Sequence, residues 1–155
     1  MLSERVRIET FTDFVVEVEP RVRRALSAAF GSQAGRDATA EALLVAWKNW
    51  DRVAAMDNPS GYLYRVGSNE ARKPKQAVLA KDFSDVTERI PWIEPELAPA
   101  LAELSEQQRT VIALVHGFEW SLGEVADLLG ISKSTVRTHE QRAIESLRRL
   151  LGVSP

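Results

Sequence analysis

At 155 residues the chain has room for one domain or two small ones, and 45% apolar with 27% charged residues suffices for a packed core. A formal net charge of −2 excludes a protein that coats nucleic acid by charge alone, and zero cysteines exclude a disulfide framework or a thiolate metal site. No apolar run approaches the roughly 20 residues of a membrane span. The opening MLSERVRIET lacks an apolar signal core, so a cytoplasmic protein is expected.

From Phe11 the pattern is helical. Phe11, Phe14, Val15 and Val18 share one face, and Val22, Leu26, Ala29 and Phe30 share another. Pro20 lies between them and predicts a kink or division, because it removes an amide donor and crowds the preceding turn. Residues 31–35 read as a loop, with Asp37 as the N-cap of a helix running to about Trp50. That helix carries Ala38, Ala42, Leu43, Leu44, Val45, Ala46, Trp47 and Trp50 almost all the way round. A small domain cannot cover such a helix completely, so an apolar strip edged by Glu41 and Lys48 is expected to remain for docking.

Asn58 and Pro59 form a cap and first-turn pair for the next helix. Its segment PSGYLYRVGSNEARK, ended by Pro74, interleaves Tyr62 and Tyr64 with Arg65, Asn69, Arg72 and Lys73. Aromatics stack on unpaired bases while arginine and lysine hold phosphates. On a bare helix the same residues serve equally as a solvated, snorkelling surface. Residues 75–95 lose the periodicity, turn acidic and end in Pro91 and Pro95, which reads as a linker, though an unusually apolar one.

A second helical unit is expected from about residue 96. Leu97, Leu101 and Leu104 form a stripe, and Ser105 to Gln108 is a capping-box pattern opening a helix with Val111, Ile112, Leu114 and Val115 inward. The stretch from Ser121 to Arg149 follows. Ser121 and Glu124 make another capping box, and Leu122, Val125, Ala126 and Leu129 share a face. Gly130 permits the positive φ of a sharp turn, Ile131 packs across it, and Ser132 caps a second helix. Val136, Ala143, Ile144 and Leu147 point inward there. Lys133, Ser134, Thr135, Arg137, Thr138, Gln141 and Arg142 are left outward near its start, with no acid before Glu140. This is the sequence form of a helix-turn-helix, whose second helix enters the DNA major groove. A merely structural hairpin shares the caps and the glycine, but not the basic, hydroxyl-rich outer face.

No active site can be assembled. His116 and His139, the two histidines, have no partner at metal-ligand spacing, and no Ser-His-Asp pattern occurs. No enzyme, metal or cofactor is expected.

The ordered set of motifs resembles a group IV, extracytoplasmic-function sigma factor of bacterial RNA polymerase, in the sigma-70 family. DATAEALLVAWKNW is similar to the helix of sigma region two that docks on the polymerase β′ clamp. NPSGYLYRVGSNEARK is similar to the segment that melts and reads the −10 element. LSEQQRTVIALVHGFEWSLGEVADLLGISKSTVRTH is similar to sigma region four, which binds the −35 element. The resemblance implies an all-α fold of two small helical domains. A region two-like unit would span 8–74, a linker 75–95 and a region four-like unit 96–152. It implies core polymerase contacts (β′ clamp and β flap), with Asp37, Glu41, Leu44 and Trp47 at the clamp. It implies −10 contacts through Tyr62, Arg65, Asn69, Arg72 and Lys73, and it brings in promoter DNA and an anti-sigma factor as partners, with no membrane insertion.

The chain departs from the pattern in places. Ala34, Gly35, Arg36 and Ala40 stand where the family carries an acidic cluster and a glutamine, Tyr62 replaces a tryptophan, and Pro74 cuts short a basic helix. Glu140 stands where an apolar residue is common, so a rotated helix or a polar partner such as His139 or Arg137 is expected. The alternative reading is a free-standing or degenerate sigma-like helix-turn-helix regulator that binds duplex DNA without polymerase.

Overall fold

The computed structural model describes residues 3–74 and 97–153; the expected linker lies outside the described residues. Among the described residues every regular element is helical. Helix α1 (Glu4–Phe30) begins at Ser3, whose side chain accepts from the Val6 amide at 3.3 Å. Its 27 residues span roughly 40 Å at 1.5 Å per residue. Pro20 lies inside it and does not divide it. The missing amide would have bonded the Val16 carbonyl, and Val16 is 73% exposed, so water is at hand for the orphaned acceptor.

The expected five-residue loop is a single residue. Gly31 has φ 96°, a conformation that favours glycine, and α2 (Ser32–Lys48) starts directly after it. Asp37 is therefore not an N-cap; it sits within α2 and accepts from the Gln33 side-chain amide at 3.0 Å. Helix α2 folds back along α1 on small residues. Gly35, Ala38, Ala42 and Ala46 are buried, and a Cβ at Gly35 would fall 2.4 Å from Ser27 Oγ. The short helix α3 (Trp50–Ala54) follows a break at Asn49, so the predicted single helix to Trp50 ends two residues early.

Phe11, Phe14, Trp47 and Trp50 join the far ends of this hairpin, with ring centroids 5.0–6.4 Å apart. Pairs of this geometry add about 0.5–1.5 kcal/mol each beyond area burial. Trp50 Nε1 donates to Thr10 Oγ1 at 2.9 Å, which satisfies its one polar atom.

Helix α4 (Pro59–Ala71) is capped as expected: Asn58 accepts from the Gly61 amide at 3.0 Å and Pro59 takes the first turn. It lies across α1 and α2, burying Leu63, Tyr64, Gly67 and Ser68. Leu26 and Leu63 are fully buried, each stabilising by about 1.5–3 kcal/mol relative to exposure.

The second half comprises α5 (Leu97–Glu103), α6 (Glu106–Ile112), a π-helical turn (Ala113–Gly117), α7 (Leu122–Leu129) and α8 (Lys133–Leu151). Both predicted capping boxes are formed, Ser105 with Gln108 and Ser121 with Glu124. Gly130 takes φ 69° and Ser132 caps α8 by accepting from the Thr135 amide at 3.1 Å. Val125, Val136 and Ala143 are buried as the pattern required.

The two halves do not keep separate cores. Val22, Leu26 and Leu63 belong to the same apolar cluster as Val111, Leu114, Trp120, Val125 and Val136. Ala28 of α1 packs with Leu101, Leu104 and Ile112 in a second one.

Candidate nucleic-acid interface

The first three turns of α8 form an open polar face. Lys133, Ser134, Thr135, Arg137, Thr138, Gln141 and Arg142 are all exposed, while Val136 and Ala143 anchor the helix from behind. The face is basic because its own acid is turned away. Glu140 is paired through Oε2 with His116 Nε2 at 3.2 Å, not with His139 or Arg137 as expected, and the partner comes from the π-helical turn. That pairing leaves Arg137 uncommitted to Glu140. Helix α8 closes at Gly152, with φ 69°, beyond Arg148 and Arg149 at its C-terminal end.

Helix α4 offers a second polar face. Arg65 and Asn69 are exposed, and Tyr62 is half-buried beneath two guanidiniums, with Arg65 5.6 Å and Arg52 5.7 Å from its ring centroid. Arg52 also donates to the Tyr62 hydroxyl at 3.3 Å. Tyr64 is not available for stacking. It is buried, and burial pushes its pKa up, opposed by the neighbouring Ser68 and Thr110 side chains. Arg72 is engaged by Glu106 of α6, which holds its pKa up, and Lys73 Nζ donates to Glu70 at 2.8 Å. A cleft of about 540 Å³ lies between α4 and the α6–α7 side, with Tyr62, Arg65 and Arg72 on one wall and Glu106 and Asp127 on the other. Asn69 is not in its lining.

On α2 the open strip is narrower than the pattern suggested. Asp37 and Glu41 are exposed and Leu44 is 46% exposed. Trp47 is partly buried, with Phe11 5.1 Å away and the Arg7 guanidinium 4.7 Å above its ring. The long α1 covers this side, which a count of apolar residues on α2 alone did not anticipate.

Sequence reasoning missed the residues that hold the halves together. Arg109 is 3% exposed; its Nε donates to the Ala28 carbonyl at 2.7 Å, Nη1 to Leu104 at 2.9 Å, and Nη2 to Ala29. Burial pulls its pKa down, opposed by the Glu106 charge. Arg21 lies 4.2 Å over Trp120 and bonds Glu124 at 3.2 Å, Arg24 lies over Phe118, and the Asn58 side chain donates to the Asp127 carbonyl at 2.7 Å. The only signal was an arginine embedded in the buried run Arg109–Leu114.

Among the described residues no cluster of His, Asp and Glu is placed to hold a metal, and no helix is long and apolar enough to cross a membrane.

Comparisons with known proteins fit this geometry. The sigma-70 region 4 family matches residues 100–149, which spans α6, α7 and all but the last two residues of α8, including the open face. The ECF RNA polymerase sigma factor SigL of Mycobacterium tuberculosis is 28% identical over 129 residues, covering 74% of this chain and 73% of the relative. In fold, the chain is similar to the sigma factor RpoE of Bartonella quintana, solved in complex with the anti-sigma factor NepR. The TM-score is 0.61 at 19% identity, over 95% of this chain and 99% of that one. By these comparisons the chain is similar to sigma factors of the extracytoplasmic-function group, and its residues 100–149 match region 4 of the sigma-70 family.

Proposed function

We propose that this chain binds core RNA polymerase as an alternative sigma factor and reads its promoter at two places. Helix α8 reads the −35 element as duplex, through Arg137 and its hydroxyl and amide neighbours. Helix α4 takes the −10 element after melting. Asn69 reads an extruded base edge, Tyr62 stacks, and Arg65, Arg72 and Lys73 hold the strand. Asp37, Glu41 and Leu44 dock on the β′ clamp, while the region four-like unit meets the β flap. The units run 8–74 and 96–152, joined by 75–95. Catalysis belongs to the polymerase, the protein works in the cytoplasm, and an anti-sigma factor is among its partners, its structural relative having been solved in complex with one.

The observation that carries this reading is the α8 face: exposed base-reading side chains on a helix whose own acid is tied back to His116. Major-groove readers need that combination, because a free carboxylate beside them would repel phosphate. Mobility-shift titrations of a promoter duplex, with the chain alone and with core polymerase, test the reading. The expected result is weak binding alone and tight, promoter-specific binding with core. Equally tight specific binding without polymerase would instead establish a free-standing duplex regulator.

A further inference from the structure

Of the cations of α4 assigned to the melted strand, Arg72 is already matched by Glu106 and Lys73 by Glu70. Arg65 is left, and Arg52 of the short helix α3 stands with it. Among the described residues neither is ion-paired with a carboxylate. Asp51, beside Arg52 in the chain, faces Arg7 instead, at 3.5 Å.

Helix α3 fixes where Arg52 stands. Trp50 and Val53 are buried, so the helix is anchored in the core on both sides of Arg52, whose own side chain is exposed. From there Arg52 Nη2 donates to the Tyr62 hydroxyl at 3.3 Å. A tryptophan at position 62 would offer no such acceptor. The two guanidiniums flank the Tyr62 ring without covering it. Arg65 is 5.6 Å and Arg52 5.7 Å from its centroid, against 4.2 Å for Arg21 stacked on Trp120. A half-buried ring between two uncompensated positive groups favours an anion that also carries a flat face. A nucleotide unit is such a ligand, whereas a free phosphate or a carboxylate would use the charges and leave the ring idle.

We propose that Arg52 is a further contact to the melted strand: with Arg65 it seats one phosphate beside the base stacked on Tyr62, and it holds that ring by the hydroxyl. This rests on the sigma reading above and adds to it a residue from outside α4. The site suits a single strand, because a base stacked within a duplex has no free face to give to the ring.

The test measures binding of the polymerase holoenzyme to a fluorescent single strand, over a series of salt concentrations. The strand carries the −10 sequence of a promoter on which the holoenzyme initiates. Arg52→Gln removes the charge but keeps an amide able to donate to the Tyr62 hydroxyl, and Arg52→Lys keeps the charge. The glutamine variant should bind the strand severalfold more weakly, with the log–log salt slope reduced by about 0.7, the value for one phosphate on a single strand. The lysine variant should keep the wild-type slope, and both should bind a −35 duplex as the wild type does. An unchanged slope in Arg52→Gln would overturn the proposal and leave Arg52 as a support for the ring. Should Arg52→Gln also weaken −35 duplex binding, Arg52→Lys decides, and a reduced slope there overturns the proposal. A wild-type holoenzyme that initiates on no promoter overturns the sigma reading itself, a distinct result.

Discussion

The Nε of Arg109 donates to the backbone carbonyl of Ala28 at 2.7 Å, so a side chain from the second half of the protein completes the C-terminal end of a helix in the first. Hydrogen bonds to charged groups contribute about 1.5–3 kcal/mol, and a buried guanidinium stripped of its acceptors costs more than that. The two halves are thereby energetically coupled, and a change in one is read in the stability of the other.

The −35 assignment places one base contact above the rest. Arg137→Ala should cost about 1–3 kcal/mol of promoter binding by the holoenzyme and relax specificity at a single base pair. Binding titrations over a set of single-substitution promoters check this. A uniform loss over the whole set would mark Arg137 as a phosphate contact instead.

Core docking depends on the narrow strip of α2. Glu41→Lys combined with Leu44→Ala should weaken association with core polymerase at least tenfold, about 1.4 kcal/mol, with helicity by circular dichroism unchanged. Unaltered co-purification with core would remove these residues from the docking surface. Trp47→Ala, in contrast, should lower stability by about 3–5 kcal/mol, since the ring packs on Phe11 beneath Arg7.

Close helix packing makes a sharp prediction at Gly35. A Cβ there meets Ser27 Oγ at 2.4 Å and Ser27 backbone at 2.5 Å, and the backbone cannot step aside without parting α1 from α2. Gly35→Ala should destabilise by about 1–3 kcal/mol in denaturant titrations, although alanine is the better helix former. Unchanged or increased stability would show that the hairpin is looser than the structure describes.

Local signals made much of the second half legible. The Ser121–Glu124 box, Gly130 and the Ser132 cap each lie within a few residues of what they control, and all formed as expected. Asn58 with Pro59 is the same case. Failures came where a distant partner decides. Trp47 is partly covered because α1 is long enough to bring Phe11 and Arg7 against it. Glu140 finds His116, 24 residues away, rather than its helical neighbours. The Arg109 contact to Ala28 bridges 81 residues, a separation at which no periodicity carries information.

Glu124 adds a pH dependence. Its carboxyl titrates below the ordinary glutamate value of 4.5, chiefly because the Ser121 amide donates to it and next because Arg21 does. The folded state thus favours the charged form. The stability this contributes is fully present above the unfolded glutamate pKa and is lost as pH falls through the depressed folded value. The stability difference between wild type and Glu124→Gln should therefore be constant from neutral pH down to about 5 and shrink below 4.5. Thermal melts across that range check it, and a difference independent of pH would contradict it.

The base-capture role of Asn69 separates melting from mere attachment. Extruding a base costs a few kcal/mol, which a polar pocket offsets. Asn69→Ala should reduce initiation strongly on a duplex promoter and weakly on a template whose −10 region is already unpaired. Near-wild-type activity on both templates would reject the assignment.

The central claim is that this chain confers promoter recognition on core polymerase, and run-off transcription from a genomic promoter set with purified core enzyme tests it most directly. The account predicts transcripts from a small subset of promoters only when the chain is added, lost when Arg137 or Asn69 is replaced by alanine. Transcription unaffected by the chain, accompanied by tight duplex binding in the absence of polymerase, would contradict it.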